Sequence, residues 1–216
     1  MKKFFASVLL VLTALTLMIA PALAAIKVQV SDTAYESKWL TGTYPTVKLK
    51  NAAVAERINA DIKAEIERFA AKLRGNYWLH RDQTGQVSYR VVCNKADTLS
   101  LILDESQKVK TGRKVWAKAL TYKTQTGQRV NYDDVWRIVS ALDKTKNFDR
   151  AGLTELLYEQ TRRAGVALFE PFPGVPYPPE DIYLDNKLRF HLIFQPGVVA
   201  PEATGPIDID IDEENW

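Results

Sequence analysis

The stretch NAAVAERINADIKAEIERFAAKLRG, from Asn51 to Gly75, decides the fold class of this chain. Its large apolar residues recur at spacings of four and three, so they share one stripe of an α-helix. These residues are Val54, Ile58, Ile62, Ile66, Phe69 and Leu73. Asn51 is predicted to cap the start of the helix, and Gly75 is predicted to end it. A helix with a single apolar stripe buries that stripe against another layer, so the flanking segments are expected to form a sheet.

The segments on both sides of this helix have the alternating pattern of β-strands. Two extended stretches precede it, IKVQV (26–30) and SKWLTGTYPTVKL (37–49). Behind it, strands are predicted over 87–93 and 98–103, and then as a hairpin over 115–124 and 128–136. Two further helices are predicted, a short one from Asp133 and a longer one over 149–167, followed by a last hairpin and the alternating run from Ile207.

This order of elements predicts an α+β fold, since hairpins and helices occur without a βαβα rhythm. We expect two small subdomains, each an antiparallel sheet packed with a helix. The basic loop QKVKTGRK (107–114) suggests the boundary, which gives an N-terminal subdomain over 25–110 and a C-terminal one over 111–216.

The first 24 residues have the pattern of a secretory signal peptide. Lys2 and Lys3 precede an apolar run over 4–20, and Ala22 and Ala24 are the small residues expected before a cut. An uncleaved membrane anchor is the alternative, because 17 residues only just approach the length of a spanning helix. We therefore expect an exported protein, periplasmic or extracellular, that meets the membrane only through this segment if it is retained.

The composition of residues 25–216 excludes several classes of protein. They keep 27 basic and 26 acidic side chains, a net charge of +1 that shows no bias towards nucleic acid or a membrane surface. The single cysteine, Cys93, lies in the apolar stretch YRVVCNK and is expected to be a buried, unreactive thiol. No spacing of histidines and cysteines indicates a zinc site, and no phosphate loop, dinucleotide fingerprint or serine elbow occurs. We therefore predict no cofactor and no metal.

Few residues qualify as catalytic. His80 and His191 are far apart in sequence, and His191 is expected to be a half-exposed strand residue rather than a catalytic base, for which no partner is visible. The adjacent acids Asp133 with Asp134 and Glu180 with Asp181 are typical of helix caps and solvated loops rather than of a paired-carboxylate active site. The sequence thus favours a protein that is not an enzyme.

Two regions are candidates for binding a partner. The acidic run Asp208, Asp210 and Asp212 is predicted to be a solvated strand face, because alternate residues lie about 7 Å apart, too far to share one calcium ion directly. The loop FEPFPGVPYPPED (169–181) carries Phe172 and Tyr177 among five prolines. Its rings would suit contact with a protein or glycan, or would fold over the core.

Three segments together resemble the exported domain family found in the anti-sigma factor RsiV and before the catalytic domain of PdaC-type peptidoglycan deacetylases. They are Tyr44-Pro45 with the following helix, LTYKTQTGQRVNYDDVW (120–136), and IYLDNKLRFHLIFQPGVVAPEATGPIDIDI (182–211). The resemblance covers nearly all of residues 25–216. It implies two α+β subdomains, an RsiV-like C-terminal one among them, and a turn at Ala200, Pro201, Gly205 and Pro206 that returns the last strand to its sheet.

The resemblance also implies a function. Members like RsiV are lysozyme receptors, so a lysozyme is a concrete candidate partner, with Pro196 and Gly197 of the closing loop and the acidic strand as the contact residues. The sequence therefore predicts a non-catalytic module of the cell envelope that binds a lysozyme-like protein or peptidoglycan. The alternatives are an enzyme that modifies cell-wall glycan or peptide, and a structural envelope protein without a soluble ligand.

Overall fold

A computed structural model of the protein describes residues 28–77, 84–110, 112–142 and 149–211. The signal-like segment, His80 and Asp212 lie outside these residues. The described elements, in order, are strands β1 (Gln29–Glu36) and β2 (Leu40–Lys48), helix α1 (Ala52–Tyr77), strands β3 (Gly85–Lys95), β4 (Thr98–Val109) and β5 (Gly112–Lys123), helices α2 (Tyr132–Leu142) and α3 (Arg150–Ala164), strands β6 (Asp181–Leu184) and β7 (Phe190–Phe194), a short 3₁₀ helix (Glu202–Thr204) and strand β8 (Ile207–Asp210).

The structure confirms the α+β class and the role of the long helix. Asn51 caps α1, since its Oδ1 accepts the Val54 amide at 3.4 Å. All six residues of the predicted apolar stripe are buried. The predicted end of the helix is wrong, because α1 continues past Gly75 to Tyr77. Gly75 does not have a positive φ, so it does not form the left-handed stop on which that prediction depended.

The first sheet has the order β1-β2-β3-β4-β5. We expected an antiparallel sheet, but one of its strand pairs is parallel. β2 and β3 pair in parallel through Leu40–Gly42, because α1 connects them as a crossover. Gly42, with φ +144°, is required at this pairing. A Cβ atom there would lie 1.8 Å from the Val87 carbonyl oxygen.

The chain position chosen as the subdomain boundary does not separate the two sheets. The predicted basic loop forms the ends of β4 and β5, which pair from Thr98 with Lys123 to Val109 with Gly112. β5 therefore belongs to the first sheet. The second half of the expected hairpin is reduced to one bridge between Tyr122 and Arg129, after which α2 begins. The turn at Gly127, with φ +72°, brings the chain back as predicted.

The second sheet has the order β6-β7-β8 and is antiparallel. Its core includes α2 and α3, with Leu153, Leu156 and Leu157 buried as predicted, whereas Ala164 is exposed. Asp149 caps α3 and Gly165 ends it in the left-handed conformation. Cys93 is fully buried in this core, as predicted, and burial raises the pKa of its thiol.

Helix α1 and the second sheet lie on opposite faces of strand β4. Leu99, Leu101 and Leu103 point towards α1, whereas Ile102 packs with Tyr183 and Ile193 of the second sheet. The resulting order of layers is helix, sheet, sheet and helices. Between the two sheets, the hydroxyl of Ser100 accepts the Leu184 amide, and that of Thr121 donates to the Ile182 carbonyl. No helix of the described residues is long and apolar enough to cross a membrane.

Away from the bridge at Tyr122, the outer edge of β5 is bonded by side chains instead of by another strand. Gln195 accepts the Ala117 amide at 3.4 Å and donates to the Ala117 carbonyl at 2.7 Å. The buried Asp181 accepts the Ala119 amide at 3.1 Å, and Arg129 donates to the Ala119 carbonyl at 3.0 Å. Asp181 also accepts from Lys118 and Gln195, so it connects this edge to the second sheet.

Replacing Asp181 with alanine is expected to destabilise the protein by about 3 kcal/mol, because the Ala119 amide and the Lys118 ammonium lose a buried acceptor. Urea denaturation followed by circular dichroism measures the change. Asp104→Ala is the matched control, since its ion pair with Arg90 is exposed and is expected to contribute below about 1 kcal/mol. Equal losses for the two variants would contradict the assigned role of Asp181.

Candidate functional site

The first candidate site is a groove between the two sheets, which we call the inter-sheet groove. It has a volume of about 650 Å³ and is open to solvent. One wall is the face of β3, β4 and β5 that points away from α1, and the other includes Ile193, Pro206 and Asp208 of the second sheet. Gly205 lies beside β5, since a Cβ atom on it would be 3.7 Å from Val115 Cγ2. The groove has the size of a pocket for a small ligand.

Charges of both signs line the inter-sheet groove. Arg90 and Asp104 form an exposed pair at 3.2 Å. Arg113, at the start of β5, is exposed, and among the described residues no hydrogen bond or ion pair reaches its guanidinium. Asp208 lies on the opposite wall, and Ser88 and Ser106 add hydroxyl groups. The arrangement suits a ligand with both anionic and cationic or hydroxyl groups rather than a purely apolar one.

Of the β8 carboxylates, Asp208 lies on an exposed strand face, as predicted, whereas Asp210 is half-buried, and neighbouring side chains bind both. Asp208 accepts from the Tyr183 hydroxyl at 2.5 Å and lies 3.1 Å from His191 Nδ1. Asp210 pairs with Arg189 at 2.5 Å. Asp208 remains partly accessible, with 45% of its side chain exposed, whereas 14% of the Asp210 side chain is exposed.

His191 is a half-buried strand residue, as predicted, and it has partners that the sequence did not reveal. Its imidazole stacks on Tyr183 with ring centroids 4.5 Å apart. Its Nδ1 contacts Asp208, and its Nε2 is buried, 3.7 Å from Asp185 Oδ2, without a hydrogen bond among the described residues. The register explains the cluster: His191 is opposite Tyr183 on β6 and Asp210 on β8, which makes Asp208 its diagonal neighbour.

Charges in this cluster shift the pKa values of its members. Burial lowers the pKa of His191. The hydrogen bond to Asp208 and the charges of Asp208, Asp210 and Asp185 raise it by more, so the pKa is raised overall. The pKa of Asp185 is lowered to about 2, because burial is outweighed by hydrogen bonds from Arg189 and Lys187. Burial and the hydrogen bond to Asp208 raise the pKa of Tyr183. The cluster therefore favours an imidazolium ion between carboxylates.

A second charged cavity, of about 520 Å³, lies between α1 and the β4–β5 pair. Buried Glu65 accepts hydrogen bonds from Arg68 and Arg129 there. Burial raises the pKa of Glu105 to about 7, and the ammonium of Lys72 opposes the shift. Lys72 lies 3.8 Å above the Trp116 ring, so this cavity is held by internal charge pairs and a cation–π contact.

The other predicted partner-binding residues are on separate parts of the surface. Phe172 packs partly against the second core and borders a shallow depression with Tyr158, whereas Tyr177 is 55% exposed. The loop is fixed to α3 by the Val175 amide, which donates to Thr154 Oγ1 at 3.0 Å. Pro196 is half-buried and Gly197, with φ +82°, forms the turn before the buried Val199. None of these four residues lines the inter-sheet groove.

The described residues considered for catalysis or metal binding do not form a metal site. Among the described ranges, no group of three histidine, cysteine or acidic side chains could hold a metal ion. Asp134 is a charge partner of Lys123 and Arg137, and its amide donates to Asn131, which caps α2. Asp181 is a structural acceptor at the β5 edge. Sequence reasoning missed the groove because its walls come from strands far apart in the chain.

Comparison with known proteins gives the fold. No family model matches the chain, and no curated protein matches it in sequence. The structure is similar to two solved members of the DUF3298 family, whose function is unknown. The member from Bacteroides fragilis has a TM-score of 0.56 and 14% identity, over 86% of this chain and 90% of its own. The member from Pseudomonas aeruginosa has a TM-score of 0.50 and 10% identity over the same shares.

These identities support a common fold and nothing finer, so the RsiV-like assignment stays a prediction. The alignment spans most of both chains, which shows that the succession of two sheets and their helices is a DUF3298-like arrangement.

The stability of the protein is expected to depend on the protonation of His191. A raised pKa in the folded state means that the imidazolium contributes stability below the unfolded-state value of about 6.5, and that this contribution is lost as the pH rises through the folded-state pKa. Urea denaturation of the wild type and of His191→Gln should therefore differ more at about pH 5.5 than at about pH 8.5. A difference that grows with pH would contradict the ion-pair assignment, and an imidazole titration by NMR checks the pKa directly.

Proposed function

We propose that this chain is an exported, non-catalytic binding module of the cell envelope whose ligand, a fragment of the cell wall, occupies the inter-sheet groove. Support for export comes from the signal-like segment over residues 1–24. The observation that carries the proposal is the groove itself, with basic, acidic and serine side chains on the β3–β5 wall and the acidic Asp208 on the facing wall. Cell-wall fragments combine carboxylates, amines and sugar hydroxyls, which are the groups that such a lining binds.

Arg113 is the residue most suited to bind the ligand. A guanidinium binds a carboxylate through two parallel hydrogen bonds, and that of Arg113 is exposed on the groove wall. Arg90 already pairs with Asp104, so a ligand carboxylate would have to compete for it. We therefore assign the anionic end of the ligand to Arg113.

Binding is favoured over catalysis because of the orientation of His191. A histidine that acts as a general base must present a ring nitrogen to the substrate. Nδ1 of His191 contacts Asp208, however, and Nε2 is buried near Asp185. The histidine and aspartate that lie beside the groove therefore form a pair that supports the wall of the site. An enzyme that modifies wall glycan or peptide remains the alternative function, and His191→Ala would abolish turnover of wall fragments if it were correct.

A lysozyme is the other candidate ligand, and it comes from the resemblance to RsiV. The acidic strand that would attract a basic protein is partly neutralised by His191 and Arg189, which reduces its charge. The proposed contact residues Pro196, Gly197, Phe172 and Tyr177 also do not lie with Asp208 in one groove. The charge distribution of the described residues therefore favours the smaller ligand. A structural envelope protein would bind neither.

Calorimetry with residues 25–216 tests the proposal. Soluble disaccharide-peptide fragments of peptidoglycan are titrated at low and at physiological salt, and saturable binding is expected at both. Arg113→Gln is expected to weaken binding about tenfold, the effect of losing one charged hydrogen-bonding group. Arg74→Gln is the control, because Arg74 is exposed on α1 and lies outside the groove lining.

Three outcomes would contradict the proposal. Binding that Arg113→Gln leaves unchanged would move the ligand out of the inter-sheet groove. Absence of binding at both salt concentrations would remove cell-wall fragments as ligands. Saturable binding of a c-type lysozyme, in the same calorimeter and without binding of the fragments, would favour the receptor function instead.

A further inference from the structure

The inter-sheet groove and the His191 cluster share one side chain, Asp208. Its carboxylate lines the groove, and 45% of the side chain is exposed. The same carboxylate contacts His191 Nδ1 at 3.1 Å and accepts the Tyr183 hydroxyl. A charge change at His191 is therefore adjacent to the wall on which a ligand would lie.

We propose that the groove selects ligands that carry a primary ammonium group as well as a carboxylate, with Asp208 binding the ammonium in competition with the His191 imidazolium. This inference rests on the proposed function and specifies the ligand class for the same site. Arg113 binds the carboxylate on the β5 wall, and Asp208 binds the amine on the β8 wall. A short peptide with a free side-chain amine has this combination of groups.

The geometry gives each carboxylate oxygen of Asp208 room for another donor. Oδ1 contacts one imidazole nitrogen, and Oδ2 accepts one hydroxyl hydrogen. A carboxylate has about four acceptor positions, so two remain for an ammonium group that approaches from solvent. Tyr183 and His191 hold the carboxylate in place, which reduces the entropy lost when the ligand binds.

The competition follows from the charges that surround His191. They come from every element packed against it: Tyr183 on β6, Asp185 and Arg189 at the β6–β7 turn, Asp208 and Asp210 on β8, and Arg90 on β3, which acts on Tyr183 and pairs with Asp104. With His191 protonated, three cations of this set, His191, Arg189 and Arg90, face four aspartates. With His191 neutral, two cations remain, and Asp208 attracts an external ammonium more strongly.

Because proton binding at His191 and ammonium binding at Asp208 oppose each other, affinity for an amine-bearing ligand must rise as the imidazole loses its proton. The ligand amine stays protonated over this range, since its ordinary pKa is about 10. A second group also titrates near neutrality, Glu105, which lines both the groove and the neighbouring charged cavity. The experiment must therefore separate His191 from Glu105.

The probe is a synthetic tripeptide of alanine, glutamate and lysine with an acetylated N-terminus, which is the free-amine form, compared with the acetylated form, in which the lysine side chain is acetylated as well. At about pH 8 the free amine is expected to bind about tenfold more tightly than the acetylated form. Lowering the pH to about 5.5 should weaken only the free-amine peptide, by about fivefold or more. Calorimetry measures all four affinities.

Variants assign the effect to its residues. Asp208→Asn is expected to lower the affinity for the free amine to that for the acetylated peptide, and Asp133→Asn, on the exposed part of α2, is the isosteric control. His191→Gln should remove the dependence on pH, whereas Glu105→Gln should retain it. Urea denaturation confirms that each variant is folded before its affinity is compared.

The results distinguish this inference from the proposed function. If the disaccharide-peptide binds but acetylation, pH and Asp208→Asn have no effect on affinity, the inferred amine selectivity is wrong. The groove then remains a proposed site for cell-wall fragments. If the pH dependence persists in His191→Gln and disappears in Glu105→Gln, the competing group is Glu105 and the inference is overturned. If neither the tripeptide nor the disaccharide-peptide binds, both proposals are overturned.

Discussion

The outer edge of β5 is the constraint on which the arrangement of the molecule depends. Its amides and carbonyls must find partners, since an unbonded strand edge is both costly when buried and a template for another chain. Asp181, Gln195 and Arg129 provide those partners from three separate parts of the sequence. Two of the three belong to the second sheet or its connections, so satisfying this edge also fixes where that sheet lies. The inter-sheet groove is the space left between the two sheets.

The same device recurs on β2, on β8 and at Val28, directly before β1. Asn59 bonds both the amide and the carbonyl of Val47, at 2.8 and 3.0 Å. Asn94 does so for Val28, and Gln160 for Asp210. A side-chain amide has one acceptor and two donors, so one residue substitutes for the hydrogen bonds of a missing neighbouring strand. Sheets of only five and three strands thereby have hydrogen-bond partners at these positions without additional strands.

The sequence predicted the local elements better than their association. The apolar stripe of α1, the cap at Asn51 and the buried Cys93 follow from periodicity and residue type, and all three are confirmed. The parallel pairing of β2 with β3 and the extension of β4 and β5 through the basic segment were missed, because both depend on tertiary pairing rather than on local pattern. A segment rich in Lys and Arg is typical of a loop, yet the same composition also occurs at the exposed end of a long hairpin.

The site was predicted least well, for the same physical reason. Asp208 was recognised as part of an acidic strand, but its role depends on Tyr183 and His191, which the register of β6, β7 and β8 places beside it. Pairing the last hairpin with the returning strand would have put His191 opposite Asp210 and so revealed the cluster. The groove had no such signal, since β3, β5 and β8 meet only after both sheets have formed.

The distance in sequence between β5 and the residues that close its edge has a consequence during synthesis. Gln195 is 78 residues from Ala117, and Asp181 is 62 residues from Ala119. A chain that is made from its N-terminus completes all five strands of the first sheet before these residues exist. During that interval the outer edge of β5 lacks these partners. A chaperone that binds extended chains, or a translocation route that keeps the chain unfolded, would have its greatest effect then.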